Sequence, residues 1–232
     1  MPPPFHIILA HSINFGIGLR SSLPWRLSLD LQHFKTLTTS SIAPPFQINL
    51  QKKGGKKKVE GEGRKEEGEK KGDERKEREE DERVKENGRG KKEGEGFNAV
   101  IMGRKTFESL PSKFKPLPDR LNIVMSRQME CGKREGVEVV GGLEEGLKRA
   151  EEEGAKNIFV IGGGQIYDEG FKNGNLEQVF VTRVGGKIEC DVFAEKRWFE
   201  GLKHIETSKT YVDNDLPFTF SRLNMFNLVI IN

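Results

Sequence analysis

The sequence predicts an α/β domain: a mostly parallel central sheet with flanking helices and an antiparallel C-terminal edge. Three observations carry this. Short apolar runs at residues 5–10 (FHIILA), 97–102 (FNAVIM), 121–125 (LNIVM) and 157–161 (NIFVI) read as strands buried on both faces. Stretches of helical periodicity lie between them, which makes successive strands parallel. The last strand candidates, 179–184 (VFVTRV) and a pair within 211–225, have no helix between them, so they turn back on the sheet.

The first strand runs into a loop at 12–19 (SINFGIGL), where Gly16 and Gly18 allow positive φ or close approach of a ligand to the backbone. Pro24 holds an extended turn and keeps Leu23 out of helix. Ser28 is the candidate N-cap of a helix over 29–38. Leu27, Leu31 and Phe34 share one buried face at i, i+4, i+7. Asp30 lines up with Phe34 and Leu37, which sets a carboxylate against an apolar wall, where an unpaired charge is expensive. On its own it can equally be an acid that suits its helix's first turn. Pro44 and Pro45 close this segment. The strand at 97–102 leads through Gly103-Arg104-Lys105-Thr106 into a short helix ending near Leu110-Pro111. The strand at 121–125 ends in Ser126-Arg127, and a shorter strand follows at 137–140. Leu143, Leu147 and Ala150 mark an amphipathic helix that stops before Gly154. The strand at 157–161 runs straight into Gly162-Gly163-Gly164, and a helix begins near Gln165-Ile166-Tyr167.

The chain has 232 residues, is 34% hydrophobic and 32% charged, and carries a formal charge of +3. The excess charge sits in one Lys/Glu/Gly/Arg-rich tract within 47–96. It has too few apolar side chains to build a core and reads as disordered or partly helical. Without it about 185 residues remain, enough for one domain. The expectation is therefore a single domain over 1–232 interrupted by an insertion at 47–96. The small net charge gives no reason to expect a nucleic-acid partner. No apolar run is long enough for a membrane span, and the start of the chain lacks the pattern of a signal peptide. A reducing, cytoplasmic setting is expected, with nuclear or mitochondrial pools left open. Cys131 and Cys190 stand alone, which indicates neither a disulfide framework nor a metal site.

In parallel sheets, ligands sit beyond the carboxyl ends of the strands. Three such ends here carry anion-binding chemistry. Gly103 to Thr106 opens a helix whose free N–H groups favour an anion, with Arg104 and Lys105 adding charge. Ser126-Arg127 offers a hydroxyl and a guanidinium, both good phosphate partners. Gly162 to Gly164 lets a helix start approach a pyrophosphate. Each is weak alone, but together on one sheet they are much less a coincidence.

The motifs Leu23-Pro24-Trp25 with Asp30, Met102 to Thr106, Ser126-Arg127, Ile161 to Tyr167, Val181-Thr182 and Asp191-Val192-Phe193 recur in the order of a known family. On them the chain resembles the dihydrofolate reductases, most closely the fungal ones, over all but the charged tract. The resemblance implies the dihydrofolate reductase fold and NADPH-dependent reduction of 7,8-dihydrofolate to tetrahydrofolate for one-carbon metabolism, in an antifolate-sensitive monomer that needs no metal. It places Asp30 on the pterin, with Thr182 orienting it and Leu23 in the loop that closes over the nicotinamide. Ile8, Leu31, Phe34, Leu110 and Ile161 wall the substrate, and Arg120 grips its glutamate carboxylate. Ala10, Ile17, Gly18, Gly103, Arg104, Lys105, Thr106, Ser126, Arg127, Gly162, Gly163, Gly164, Gln165, Ile166 and Tyr167 hold the cofactor, with a cis peptide at Gly162-Gly163. Two rivals differ in chemistry: a riboflavin-pathway reductase of the same fold, and a non-catalytic nucleotide-binding protein. The acid at Asp30 argues against both.

Overall fold

The structure is a computed structural model and describes residues 2–40, 96–134 and 136–225. The expectation for the charged tract lies outside the described residues. The chain on both sides of that tract forms one compact unit.

In chain order the elements are β1 (Phe5–Ser12), β2 (Gly16–Gly18), α1 (Ser28–Thr39), β3 (Asn98–Gly103), α2 (Arg104–Ser109), β4 (Arg120–Met125), β5 (Gly132–Arg134) and β6 (Val137–Val140). They continue with α3 (Leu143–Glu152), β7 (Ile158–Val160), α4 (Gly164–Phe171), β8 (Leu176–Val184), β9 (Val192–Phe193), β10 (Leu202–Thr207), β11 (Tyr211–Asp213) and β12 (Leu216–Met225). Short 3₁₀ turns cover Ser112–Phe114 and Lys196–Phe199.

The main sheet runs β10-β12-β8-β1-β7-β3-β4-β6-β5, with β11 added on β12. Its centre is parallel, from β8 through β1, β7, β3 and β4 to β6. The antiparallel C-terminal edge is present as β8-β12-β10. A second antiparallel edge, β5 on β6, was not expected. Its three residues, Gly132 to Arg134, carry no apolar alternation that sequence could register.

The central strands are apolar throughout because both faces are covered. One face packs Ile101, Ile123, Leu147, Ala150, Ile166 and Trp198 under α3 and α4. The other packs Leu37, Val100, Met102, Val124, Phe159 and Phe180 under α1. Among the described residues, no helix is long and apolar enough to cross a membrane.

Two expectations for α1 need correction. Leu27, not Ser28, is the N-cap residue, and no side chain of α1 itself caps the helix. The acceptor comes from Asp213, whose Oδ2 takes the N–H groups of Ser28 and Leu29 at 2.5 and 3.3 Å. The buried face is also rotated. His33, Leu37 and Thr38 are buried, whereas Leu31 is 50% exposed. The helix lies on the sheet along the row that includes Asp30, His33 and Leu37, which leaves Leu31 on its outer flank.

Candidate active site

Asp30 stands in the first turn of α1, over the sheet at β8. Its Oδ1 accepts a 2.6 Å hydrogen bond from Thr182 Oγ1. Thr182 is buried and sits between Ala10 of β1 and Phe220 of β12. Burial pushes the Asp30 carboxyl up from an ordinary 3.8 to about 6, and the bond from Thr182 opposes part of that rise. The acid therefore lies in low-dielectric surroundings with one fixed donor. Its neighbour Tyr167 is held well above the usual phenol range, first by burial and then by the Asp30 charge. The Tyr167 hydroxyl donates to Ile8 O at 2.7 Å, which ties α4 to β1 beside the acid.

Ile8, Phe34, Leu110 and Ile161 are partly buried and border the same apolar cluster under α1. Four of the five expected wall residues therefore border one region, and Leu31 stands at its exposed flank. Arg120, at the start of β4, lies over the Phe34 ring with its guanidinium 5.7 Å from the centroid. Its Nε donates to Pro118 O at 2.9 Å and its Nη1 donates to Thr38 Oγ1. The fork is thus braced on a backbone carbonyl and on the last turns of α1. Asn98 braces the same place, donating to Thr38 O at 3.2 Å and Ser40 O at 2.8 Å. Thr38 and Asn98 went unnoticed in the sequence because a threonine in a helix and an asparagine in a strand carry no motif.

The expected cofactor residues come from four chain segments, 10–18, 103–106, 126–127 and 162–167. The Gly162-Gly163 peptide is cis. Gly162 has φ +108°, and a Cβ there would meet the Tyr167 ring at 3.0 Å, so only glycine fits. Gly103 N donates to Gly162 O at 2.7 Å, which joins the end of β3 to this turn. A Cβ on Gly163 would touch Thr106 Oγ1 at 3.3 Å, and one on Gly164 would meet Val192 at 3.3 Å and Ile17 at 3.8 Å. A Cβ on Gly103 would meet Ile166 at 3.4 Å and Gly163 N at 3.7 Å. Gly103, Thr106, Ile17 and the Gly162-to-Ile166 turn therefore lie against one another. Beside them, a cavity of about 470 Å³ is lined by Arg127, Gly164, Gln165, Asp168, Glu169, Val192, Phe193, Glu195 and Trp198. Ser126 Oγ accepts the N–H groups of Gln128 and Met129, which leaves its own proton free to donate. Arg104 is engaged differently from expectation, as its Nη1 pairs with Glu108 at 2.6 Å. Lys105 is exposed on α2.

The segment that follows β1 is fastened where β2 pairs with β9, through Gly16 on Phe193 and Gly18 on Val192. Asn14 exchanges two bonds with the Ile188 backbone, and Asp191 accepts from Arg20 N at 2.8 Å. Leu23, beyond this clasp, is 51% exposed. Among the described residues, no group of three His, Cys, Asp or Glu converges as a metal site.

The arrangement fits a nicotinamide dinucleotide: a glycine cradle at a helix start, a hydroxyl and an exposed guanidinium at a strand end, and a buried acid nearby. Comparisons with known proteins give the family. The family model described as Dihydrofolate reductase matches residues 4–43 and 88–225. The dihydrofolate reductase of Drosophila melanogaster is 29% identical over 191 residues, covering 82% of this chain and 78% of that protein. The one from Heliothis virescens is 29% identical over 192 residues, covering 81% and 77%. A bifunctional dihydrofolate reductase-thymidylate synthase of Paramecium tetraurelia is 29% identical over 219 residues. This match covers 94% of the chain, which spans only 34% of that longer protein. On the family match over most of its length, the chain belongs to the dihydrofolate reductase family.

Proposed function

We propose that this chain reduces 7,8-dihydrofolate to 5,6,7,8-tetrahydrofolate with NADPH. The observation that carries the reading is the Asp30–Thr182 pair: a single acid, fixed by one hydroxyl, at the edge of an apolar wall. A pterin's 2-amino group and ring N–H form a donor pair that matches a carboxylate. Thr182 donates to one oxygen of Asp30 and so sets the direction of the other.

NADPH, when bound, supplies the hydride that C6 of the pterin receives. The chain's residues do the rest. The charge of Asp30 favours the pterin carrying a proton at N5, and its apolar surroundings strengthen that effect. In this reading the proton reaches N5 through a water. Ile8, Phe34, Leu110 and Ile161 exclude solvent, Leu31 covers the outer flank, and Arg120 holds the glutamate carboxylate with a braced fork. Ala10, Ile17 and Gly18 offer backbone groups to the carboxamide end of the cofactor. Gly103, Arg104, Lys105, Thr106, Ser126, Arg127 and residues 162–166 hold its phosphates and ribose, and Tyr167 packs near its nicotinamide half. Arg104 must leave Glu108 or share it. A monomeric enzyme, from the resemblance, and a cytoplasmic one, from composition, are part of this proposal. The family match and the Asp30–Thr182 pair weigh against the riboflavin-pathway and non-catalytic readings.

The test is to mix the full chain with dihydrofolate and NADPH and follow the loss of NADPH absorbance. Turnover with dihydrofolate and none with a riboflavin-pathway pyrimidine supports the proposal. Cofactor binding without turnover on either contradicts it.

A further inference from the structure

We propose that Asp213 and Asn214, at the tip of the β11–β12 hairpin, are positioning residues for the reaction: they grip the start of α1 and so set where Asp30 stands. The inference rests on the reading of Asp30 as the acid that faces the pterin.

The first N–H groups of a helix have no partner within it, and a side-chain oxygen nearby usually fills that role. In α1 the cap residue is Leu27, which has no such oxygen. Asp213 Oδ2 fills it from the far end of the chain, accepting from Ser28 N at 2.5 Å and Leu29 N at 3.3 Å. Its negative charge also suits the positive end of the helix. One residue further on, Asn214 Nδ2 donates to Arg26 O at 2.6 Å. The hairpin thus holds the chain on both sides of the helix start.

The hairpin can do this because its tip is rigid. Asp213 pairs with Leu216 across a two-residue connection, and Asn214 and Asp215 have φ of +49° and +61°. That is the left-handed pair of a type I′ turn, a geometry asparagine tolerates well. Behind the tip, the rings of Tyr211, Phe218 and Phe220 pack together, and the Phe220 ring lies 4.1 Å from that of His33 on α1. Phe220 is also the register partner of Thr182. One β-strand therefore carries the hairpin that fixes the backbone before Asp30 and flanks the residue that fixes the Asp30 carboxyl. Losing the grip frees the first turn of α1, loosens the Thr182 bond and admits water to the acid.

The test uses the full chain with Asp213→Ala, and with Asp213→Asn, which keeps an oxygen acceptor. Amide exchange at Ser28 and Leu29 and the titration of the Asp30 carboxyl, both by NMR, read the grip without any substrate. In Asp213→Ala, exchange at both amides rises about tenfold, the equivalent of one lost cap. The Asp30 midpoint moves down towards an ordinary carboxylate, and kcat with dihydrofolate falls while KM for NADPH stays unchanged. Asp213→Asn restores most of each. Wild-type exchange and an unmoved Asp30 titration in Asp213→Ala overturn the inference, whatever the turnover. If both shift but the wild-type chain does not reduce dihydrofolate, the grip on Asp30 stands and the functional reading falls instead. Should Asp213→Ala fail to fold, Asn214→Gly carries the same two readouts, since it keeps the turn and removes only the bond to Arg26.

Discussion

Asp30 on α1 and Thr182 on β8, 152 positions apart in the chain, meet in a 2.6 Å hydrogen bond that ties the helix to the sheet at the site. The bond opposes, but does not cancel, the rise in the Asp30 pKa caused by burial. The folded protein therefore holds this proton more tightly than the unfolded chain does, between pH 3.8 and about 6. In that window stability falls as pH rises, and above about 6 the full cost of a buried charge is present. The rise from 3.8 to about 6 corresponds to about 3 kcal/mol. Asp30→Asn should accordingly gain stability relative to wild type as pH is raised from 4 to 7. Thermal melts across that range check this, and a difference independent of pH would contradict it.

Arg120 owes its orientation to Thr38, whose Oγ1 accepts from the guanidinium while donating to Phe34 O at 2.7 Å. Thr38→Val keeps the shape and removes the acceptor. KM for dihydrofolate should rise by about three- to tenfold, the scale of the net contribution of one ordinary hydrogen bond. KM for NADPH should not move. Steady-state kinetics with each ligand varied in turn separate the two.

Arg127 is exposed at the mouth of the cavity that it shares with Gly164 and Gln165. If it meets the adenosine 2′-phosphate, Arg127→Ala should weaken NADPH by about 1.5–3 kcal/mol and leave NADH nearly untouched. Fluorescence titrations with both cofactors read this. Equal losses would assign Arg127 a different role.

The family match stops at residue 43 and resumes at 88, so it skips most of the charged tract. The chain on either side is clasped independently, with Asn98 of β3 bonded to Thr38 O and Ser40 O at the end of α1. We propose that the tract is dispensable for folding and chemistry. Replacing 52–96 with a short Gly/Ser linker should leave kcat and the thermal midpoint close to those of the full chain. A large loss of either would show that the tract serves the domain.

The strands buried on both faces were legible in the sequence because an apolar run needs no knowledge of its neighbours. The glycine turn at 162–164 was equally plain, and Tyr167 explains why Gly162 admits no side chain. What sequence hid depends on distant partners. Ser28 has the chemistry of a cap, yet Asp213, 185 positions away, takes that place. Leu31 obeys the helical spacing of Leu27 but faces outward, because the sheet beneath selects His33 and Leu37. Strands β2 and β9 have only three and two residues, too few for any periodicity. For Asp213 and Asn214 the only local signal was an Asn-Asp turn between alternating apolar positions. That signal predicts a hairpin but says nothing of what its tip holds.

Asp30 is the acid on which the whole account turns. The most direct measurement is the rate of hydride transfer from NADPH to dihydrofolate in single turnover, for wild type and Asp30→Asn, from pH 5 to 8. The account predicts a large loss in Asp30→Asn at neutral pH that shrinks as pH falls, because free protons then protonate the pterin unaided, with NADPH affinity nearly unchanged throughout. Wild-type hydride transfer in Asp30→Asn at neutral pH would contradict it.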